Sequence, residues 1–367
     1  MARINLITRH HNSNNGAFLQ TYATLKALET AGHQVTLIDF IANPSPSATC
    51  VNTMLHRLLE FSVHHRFSKL QKRFYKRRTP RMQAKIDFEQ LPEADYTVSG
   101  SDQVWNPIIT GEAYLTYFLN FAPKNTRRVS LASSFGCTEF AGTSEMSQQV
   151  KQELEKFSAI SVREKSGVRI CRESFGVEAT QLIDPTLLFD DYSAICGKIE
   201  PYNEVCAFLF NQNTPYYPEI IRSVSASLNL PAVMLNRQRY GKRTFLGKRD
   251  PYHGIACHNL SGKVAPMEWL QHIGGSKFVI TNSFHGIALS IIHRRNFIAL
   301  CADTRKFERI ASLLSLFHLE ERAVLSLEEY QTRREQLLKP VVYGNEFEEI
   351  LNEERKRYFD FIRQNIK

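Results

Sequence analysis

The fold is decided by the stretch RINLITRHHNSNNGAFLQTYATLKALETAGHQVTLIDF, residues 3–40. RINLIT is typical of a buried strand, and the apolar side chains after Gly16 recur at the three- and four-residue spacing of a helix. Gly32 is suited to ending that helix, and QVTLIDF predicts a second strand. A strand, a helix and a strand within about 40 residues make a βαβ unit, which requires a parallel sheet.

The alternation of strand and helix patterns continues along the rest of the chain. Strand patterns recur as DYTVSG, RRVSLA and AISVRE in the first half, and as EVCAFLF, PAVML, KFVITN and NFIAL in the second. At 367 residues the chain is about twice the common size of a domain. We therefore predict two Rossmann-like α/β domains, residues 1–192 and 203–340, that face a cleft, and a C-terminal helix (341–367) that packs back.

Composition and charge restrict which kinds of protein and of binding partner are possible. Apolar residues make up 43% of the chain, enough for a sizeable core, and the net charge of +9 favours an anionic partner. The seven cysteines are scattered and include no Cys-x-x-Cys pair, which argues against a disulfide framework and a zinc ribbon. No apolar segment is long enough for a signal peptide or a membrane helix, so we expect a cytoplasmic protein with reduced thiols.

A basic helix is predicted over residues 51–78, within the N-terminal domain. Apolar residues form one stripe along it, and lysines and arginines cover the other face. Two interpretations stay open, a helix that rests on an anionic membrane surface and a solvated face over the N-terminal sheet. The aromatic residues belong to the apolar stripe and form no stacking platform, which argues against nucleic acid as a partner.

The turn TNSFHG, residues 281–286, joins a predicted strand to a predicted helix. Ser283 stands where a helix N-cap would, and His285 and Gly286 follow in the first helical turn. The free N–H groups of a helix start attract phosphate or carboxylate, and the histidine can donate a proton there. The alternative is a histidine that caps its own helix or bonds a neighbouring strand.

Two further turns carry polar side chains at strand ends. SGSDQVWN (99–106) offers Asp102 to bind or deprotonate a hydroxyl, and the alternative is an Asx-type turn in which Trp105 only packs. SVREKSG (161–167) offers Arg163 to bind a carboxylate or a phosphate. The alternative for that arginine is an ion pair with a neighbouring carboxylate.

The loop HHNSNNG, residues 10–16, only loosely resembles a phosphate cradle. The chain has no G-x-G-x-x-G and no Walker motif, which argues against a dinucleotide oxidoreductase and a P-loop enzyme. The histidine pair lacks the partner pattern of a metal site, so we predict no metal.

Six segments occur in an order and at spacings that resemble the polysaccharide pyruvyl transferase family: NNGAFLQTYA, SGSDQVWNP, VSLASSFG, SVRE, IDPTLL and VITNSFHG. The resemblance covers roughly residues 3–320. It implies a GT-B-like fold of two Rossmann-type domains. It also implies transfer of the pyruvyl group of phosphoenolpyruvate to a pair of sugar hydroxyls as a cyclic ketal, with no cofactor. The acceptor sugar is then expected on a carrier such as polyprenyl diphosphate.

The resemblance also implies residue roles. His285 is the general acid, Arg163 binds the phosphoenolpyruvate anion, and Asp102 lies at the active site, with the acceptor on the N-terminal side and phosphoenolpyruvate on the C-terminal side. A second cation falls on Arg305 or Lys306. The remaining substrate-binding predictions are Ser283, Phe284, Gly286, Ser101, Gln103, Asn15 and Gly16.

Two departures from the family pattern bear on the acceptor. Asn14-Asn15-Gly16 stands where an aromatic often precedes the glycine, and RRNF stands where Lys-Pro-Phe is common. Two other classes stay open, a GT-B glycosyltransferase that uses a nucleotide-sugar donor and a non-catalytic, membrane-associated component of glycan assembly.

Overall fold

A computed structural model describes residues 1–11, 13–42, 54–83, 85–210, 212–236, 251–258, 264–302 and 304–367, without the side chains of residues 54–60, 88 and 304–306. Contacts divide the chain into two compact units. Unit 1 comprises the described parts of Met1–Ser47, Gln71–Leu188 and Glu348–Lys367, and unit 2 those of Ala48–Leu70 and Phe189–Phe347.

Unit 1 is built on a parallel sheet of five strands in the order β2-β1-β5-β6-β7, with two short parallel pairs, β3-β4 and β8-β9, beside it. The strands are β1 (Arg3–Ile7), β2 (Gln34–Leu37), β3 (Phe40–Ile41), β4 (Met82–Gln83), β5 (Tyr96–Ser99), β6 (Arg127–Ser130), β7 (Phe157–Ala159), β8 (Ser161–Val162) and β9 (Thr180–Gln181). The helices of this part of the chain are α1 (Asn15–Thr30), α2 (Met54–Phe74), α3 (Pro107–Thr110), α4 (Tyr114–Tyr117), α5 (Ser144–Leu154) and α6 (Lys165–Phe175).

The predicted βαβ unit is present as β1, α1 and β2. Asn14 caps α1, because its side chain accepts a hydrogen bond from the N–H of Ala17 at 3.0 Å. The helix ends just before Gly32, which has φ +90, a conformation that glycine adopts without strain. The local signals of this stretch therefore mark both ends of the helix.

Unit 2 has a six-stranded parallel sheet in the order β12-β11-β10-β13-β14-β15, the Rossmann arrangement. Its strands are β10 (Tyr202–Phe208), β11 (Ala232–Met234), β12 (Ala256–Cys257), β13 (Ser276–Thr281), β14 (Asn296–Leu300) and β15 (Ala323–Val324). Its helices are α7 (Ser193–Cys196), α8 (Tyr217–Leu228), α9 (Pro266–Gly275), α10 (Phe284–Ile292), α11 (Thr304–Leu316) and α12 (Leu327–Leu338), and α13 (Asn345–Asn365) ends the chain. The predicted α/β fold of two Rossmann-type units is confirmed.

Each unit has its own apolar core. In unit 1, Trp105 is fully buried and stacks on Phe118 with the ring centroids 4.9 Å apart, while its indole N–H donates to the carbonyl of Tyr117 at 3.0 Å. In unit 2, the apolar residues of β10, β13 and β14 are buried because helices cover the sheet.

The chain crosses between the units more often than a split into consecutive domains allows. Most of α2 is grouped with unit 2, although the predicted domain of residues 1–192 includes it, and its last turn is grouped with unit 1. The C-terminal helix packs back on unit 1, as predicted. There Tyr358 is fully buried and Arg355 Nε donates to the carbonyl of Leu187 at 2.9 Å.

Helix α2 has the predicted two-faced character. Val63 and Phe67 are buried and Arg66 forms an ion pair with Glu268, whereas the opposite side is exposed. None of the described helices is long and apolar enough to cross a membrane. The helix ends at Phe74 and not at residue 78 as predicted, so its described exposed basic residues are Lys69, Lys72 and Arg73. The segment after it adds Lys76, Arg77, Arg78 and Arg81, which are also exposed.

Stability should fall in mild acid through His293, the residue that ends α10. Burial, reinforced by the charges of Arg295 and Arg294, lowers the pKa of His293 to about 4. The unfolded chain binds a proton near pH 6.5 and the folded protein does not, so stability is highest above pH 6.5 and is lost as the pH falls. We expect this residue to lower the free energy of unfolding by roughly 1–2 kcal/mol between pH 7 and pH 5.

Denaturant unfolding at both pH values checks this expectation. His293→Gln should lose less stability on acidification than the wild type, and His318→Gln, which changes an exposed histidine, should match the wild type. An acid response in His293→Gln as large as that of the wild type would contradict the assignment.

Candidate active site

In unit 2, the turn TNSFHG (281–286) lies where the strand order reverses, between β10 and β13. Ligands of open parallel sheets bind beyond the carboxyl ends of the strands at this switch point. The loops that follow the two strands are joined there, because Asn282 Oδ1 accepts a hydrogen bond from the N–H of Phe210 at 2.7 Å. TNSFHG therefore starts α10 at the position in the sheet where a ligand is expected.

The start of α10 is capped as predicted. Ser283 is extended and its Oγ accepts a hydrogen bond from the N–H of Gly286 at 3.3 Å. The Thr281 hydroxyl donates to the carbonyl of Phe208 at 2.6 Å and accepts from the N–H of Ser283 at 3.1 Å. These bonds fix the direction in which the helix leaves the sheet.

His285 occupies the first turn of this capped helix, together with Phe284. Both side chains are largely buried, and their rings meet edge to face with centroids 5.3 Å apart. The structure thus places the predicted residues Ser283, Phe284, His285 and Gly286 in a single turn. The predicted roles of these residues stay predictions.

Gly286 is required by the packing of its own turn. A Cβ atom at this position would lie 2.6 Å from Thr281 Oγ1 and 3.2 Å from Thr281 Cγ2. The hydroxyl of Thr281 is held by its bonds to Phe208 and Ser283, so it has little freedom to yield. The packing inside the turn therefore explains why this position has no side chain.

We expect Gly286→Ala to lower the free energy of unfolding by about 1–3 kcal/mol, because the added methyl group overpacks the turn. Gly344→Ala is the matched control, since a Cβ atom there meets nothing within 4 Å. Denaturant unfolding of both variants measures the difference. Equal stability of the two variants would show that the turn relaxes without cost.

Unit 1 has its switch point between β1 and β5. Thr8, in the loop after β1, donates from its hydroxyl to the carbonyl of Ser101 at 2.8 Å, which joins the two loops. A Cβ atom on Gly100 would lie 2.9 Å from Thr8 Cβ, so the loops approach closely only because this residue is a glycine. The predicted residues Ser101, Asp102 and Gln103 follow directly.

Asp102 has the left-handed backbone conformation, with φ +70. Non-glycine residues adopt this region rarely, and aspartate is among those that tolerate it. Its carbonyl accepts hydrogen bonds from the N–H groups of Val104 at 2.7 Å and Ser134 at 3.0 Å, which hold the conformation. Gln103 packs against Gly136, and its Oε1 accepts from Asn106 at 3.1 Å. Strained residues of this kind concentrate at functional sites, which supports the interest in Asp102.

Arg163 lies at the end of β8, inside a buried ion-pair network. Its Nε donates to Glu164 at 3.0 Å, its Nη1 to Asp184 at 2.7 Å and its Nη2 to Ser134 Oγ at 3.2 Å. Burial by itself would lower the pKa of the guanidinium, but the two carboxylates raise it above its ordinary value. Arg163 is thus the internal counter-charge of two acids, and its binding of phosphoenolpyruvate stays a prediction.

Asp184 extends the network, and sequence reasoning did not single it out. Its Oδ1 accepts from the N–H of Thr186 at 2.9 Å and from the hydroxyl of the same residue at 2.6 Å. Its Oδ2 accepts from Arg163 and from the hydroxyl of Ser101 at 3.2 Å. The signal was available in the segment IDPTLL, where an aspartate precedes a proline, the pattern of a capped turn.

The other predicted residues lie at helix starts. Asn15 and Gly16 are buried in the first turn of α1, where Asn14 is the cap. Arg305 and Lys306 lie in the first turn of α11, and their side chains are outside the described part of the structure. The predicted residues thus fall into two groups, one in each unit.

Two histidines of the loop after β1 form a cluster that sequence reasoning missed. His10 and His11 direct their Nε2 atoms at Asp39 Oδ1, at 3.5 and 2.7 Å. Burial would raise the pKa of Asp39, but the two neighbouring histidines hold it well below its usual range. Burial lowers the pKa of His11, against the opposing effect of Asp39. The available signal was that Asp39 follows β2, the neighbour of β1 in the sheet.

The comparisons with known proteins agree with this architecture. No curated protein matches the chain. Among solved structures, UDP-GlcNAc 2-epimerase from Neisseria meningitidis, bound to UDP-GlcNAc, superposes with a TM-score of 0.52 at 10% identity, over 100% of this chain and 99% of the other. The S. aureus MnaA–UDP structure gives 0.52 at 13%, over 99% and 96%. UDP-GlcNAc 2-epimerase from Methanocaldococcus jannaschii gives 0.51 at 11%, over 99% of both chains.

These likenesses show the fold alone, and it is the predicted GT-B-like fold. The family is shown by the sequence, since the model of the family described as polysaccharide pyruvyl transferase matches residues 14–300 and so covers most of the chain. The chain belongs to the polysaccharide pyruvyl transferase family.

Proposed function

We propose that the protein transfers the pyruvyl group of phosphoenolpyruvate onto two hydroxyls of one sugar, forming a cyclic ketal and releasing phosphate. The observation that carries the proposal is the position of His285, in the first turn of a capped helix at the switch point of the unit 2 sheet. Membership of the family supports the class of reaction.

The chemistry requires a proton donor and a site for anions. As one sugar hydroxyl attacks the central carbon of phosphoenolpyruvate, His285 gives a proton to the methylene carbon, and the proton of that hydroxyl restores the imidazolium. The second hydroxyl then attacks the same carbon, the bond from that carbon to the phosphate oxygen breaks, and phosphate leaves with the remaining proton. The N–H groups and dipole at the start of α10 favour the negative charge of the substrate.

The other predicted residues complete this proposal. Arg163 and one of Arg305 and Lys306 neutralise the carboxylate and phosphate, and Asp102 orients or deprotonates a hydroxyl of the acceptor. These steps require no redox cofactor. The acceptor is a sugar of a bacterial-type surface polysaccharide or of its precursor on a polyprenyl-diphosphate carrier.

The basic face of α2 fits an acceptor of that kind. A lipid carrier confines the acceptor to a membrane surface, and the exposed lysines and arginines of this helix would attract anionic headgroups. We therefore place the protein in the cytoplasm, at the inner face of the membrane. Co-sedimentation with anionic vesicles, and its loss at high salt, tests this placement.

The experiment that tests the function uses the purified chain with phosphoenolpyruvate and a panel of lipid-linked and nucleotide-linked sugars. Release of phosphate that depends on the sugar, with a ketal found in the product by NMR, is the expected result. Stabilisation against heat by UDP-sugars but not by phosphoenolpyruvate would favour a glycosyltransferase instead. Vesicle binding without stabilisation by either donor would favour a non-catalytic role in glycan assembly.

A further inference from the structure

The cluster of His10, His11 and Asp39 is not used by the proposed reaction. The two imidazoles come from the loop after β1 and the carboxylate follows β2, so neighbouring strands bring them to one edge of the unit 1 sheet. One atom of each side chain lies within 4.8 Å of the other two. We propose that these three residues bind a divalent transition-metal ion of the Zn²⁺ class.

The orientation of His10 supports a cation between it and the carboxylate. Its Nδ1 lies 2.9 Å from the carbonyl of Thr8, and since a carbonyl only accepts, Nδ1 carries the hydrogen. The Nε2 atom of the neutral ring then presents its lone pair to Asp39 Oδ1, and two electron-rich atoms face each other. His10 is 4% exposed and its Nε2 has no hydrogen-bond partner.

The same arrangement is common in metal sites. A histidine that binds a metal through one ring nitrogen usually donates from the other to a carbonyl or a carboxylate, which fixes the ring. Thr8 supplies such a carbonyl to His10. The polypeptide therefore presents the ring in the tautomer that a metal requires.

The spacing of the donor atoms fits a tetrahedral site after a small adjustment. Zn²⁺ with bonds of about 2.0–2.1 Å places neighbouring ligands about 3.4 Å apart. The 3.5 Å between His10 Nε2 and Asp39 Oδ1 matches this value, and the 2.7 Å between His11 Nε2 and the same oxygen has to widen. Two imidazoles and one carboxylate leave a fourth position for water or for another ligand.

Two arginines compete with a metal for Asp39. Arg78 Nη1 lies 3.8 Å from Oδ2, whereas both histidine contacts are to Oδ1, so this arginine can remain there. Arg81 Nε lies 3.4 Å from Oδ1 itself, but this side chain is 54% exposed and can withdraw into solvent. Without a metal, the cluster is an ion-pair hub in which the arginines neutralise Asp39.

Metal binding to the purified, EDTA-treated protein distinguishes a metal site from an ion-pair hub. Titration with Zn²⁺ in a calorimeter should give one saturable site. Substitution by Co²⁺ should give the visible spectrum of a tetrahedral nitrogen and oxygen site, without the thiolate bands that cysteine ligands produce. The inference is independent of the proposed function, because binding is measured without phosphoenolpyruvate.

Variants make the test specific. The double variant His10→Ala/His11→Ala and the single variant Asp39→Asn should each lose at least tenfold in affinity for Zn²⁺ and keep the circular dichroism of the wild type. Arg81→Gln should bind several-fold more tightly, because it removes the cation that competes for Oδ1.

A matched control comes from the adjacent, exposed histidines of α2, and His64→Ala/His65→Ala should bind Zn²⁺ like the wild type. Absence of saturable binding in the wild type would overturn the proposal in favour of the ion-pair hub. Equal binding by the wild type and by His10→Ala/His11→Ala would overturn it by placing the metal elsewhere.

Discussion

His285→Ala is expected to lower the rate of pyruvyl transfer by about 10²–10⁴-fold, the usual contribution of a positioned general acid. Without the imidazole, the methylene carbon of phosphoenolpyruvate has to take its proton from water while the hydroxyl attacks. The loss should appear in kcat and in kcat/KM for phosphoenolpyruvate, measured as release of phosphate with saturating acceptor.

The fold should survive this substitution, because the helix start is held by other groups. Ser283 caps α10 through Gly286, and Thr281 anchors the turn to β10. The His285→Ala protein should therefore keep the circular dichroism of the wild type. His293→Gln, which changes the residue at the other end of the same helix, should keep the transfer rate of the wild type at neutral pH.

The result also separates a catalytic from a structural histidine. If His285 is structural, His285→Ala loses stability and keeps its transfer rate per folded molecule. If His285 is catalytic, the variant keeps its stability and loses its transfer rate. Full activity in His285→Ala would remove the residue from the mechanism and leave the family assignment intact, since that assignment rests on the match over residues 14–300.

Local signals mark the start of one helix in each unit. Ser283 is the predicted cap of α10 and caps it in the structure, and Asn14, which was not predicted as a cap, is the same kind of short polar residue before a helical pattern and caps α1. Such signals act between residues a few positions apart, so a single sequence contains them. The alternation of strands and helices likewise determined that both sheets are parallel, because consecutive strands with a helix between them run in the same direction.

The partners of the polar residues could not be predicted, because they depend on which strands become neighbours. Arg163 meets Asp184 since β8 pairs with β9, and His11 meets Asp39 since β1 pairs with β2. The sequence offers many carboxylates for each cation and does not rank them. The positive φ of Asp102 is also held in part from outside its turn, by the hydrogen bond that its carbonyl accepts from the N–H of Ser134.

The unit with which α2 is grouped could not be predicted, for a related reason. Its apolar stripe needs a surface to cover, and the pattern alone does not name that surface. The chain returns between the units, so that a helix from the first hundred residues contributes Arg66 to an ion pair with Glu268. The simplest prediction assigns one consecutive segment of the chain to each domain. In the structure, contacts between residues far apart in the sequence define the two units instead.

The second large effect is expected from Arg163, and it concerns stability. Arg163→Met leaves the buried carboxylates of Glu164 and Asp184 without their counter-charge. Removal of one member of a buried ion pair costs about 3–5 kcal/mol, because the remaining charge has lost its solvent and its partner. Urea unfolding followed by tryptophan fluorescence measures the change, and Trp105, buried in the core of unit 1, reports on this unit.

A surface arginine supplies the matched control. Arg172 pairs with Glu178 through two hydrogen bonds, at 3.3 and 3.0 Å, and both side chains are largely exposed. Arg172→Met should therefore change the free energy of unfolding far less than Arg163→Met does. The contrast between the two arginines tests burial, because the change of side chain is the same.

A double variant identifies the cause of the loss. If unpaired charge destabilises Arg163→Met, then Arg163→Met/Asp184→Asn should recover part of the stability, because one of the two stranded carboxylates has been neutralised. Additive losses in the double variant would show that Arg163 acts through packing. Arg163→Lys should be intermediate, since one ammonium group keeps the charge and cannot reproduce the three directions in which Nε, Nη1 and Nη2 donate. If Arg163→Lys is folded and still has a raised KM for phosphoenolpyruvate, the arginine binds substrate as well as holding the two carboxylates, and an unchanged KM confines it to the structural role.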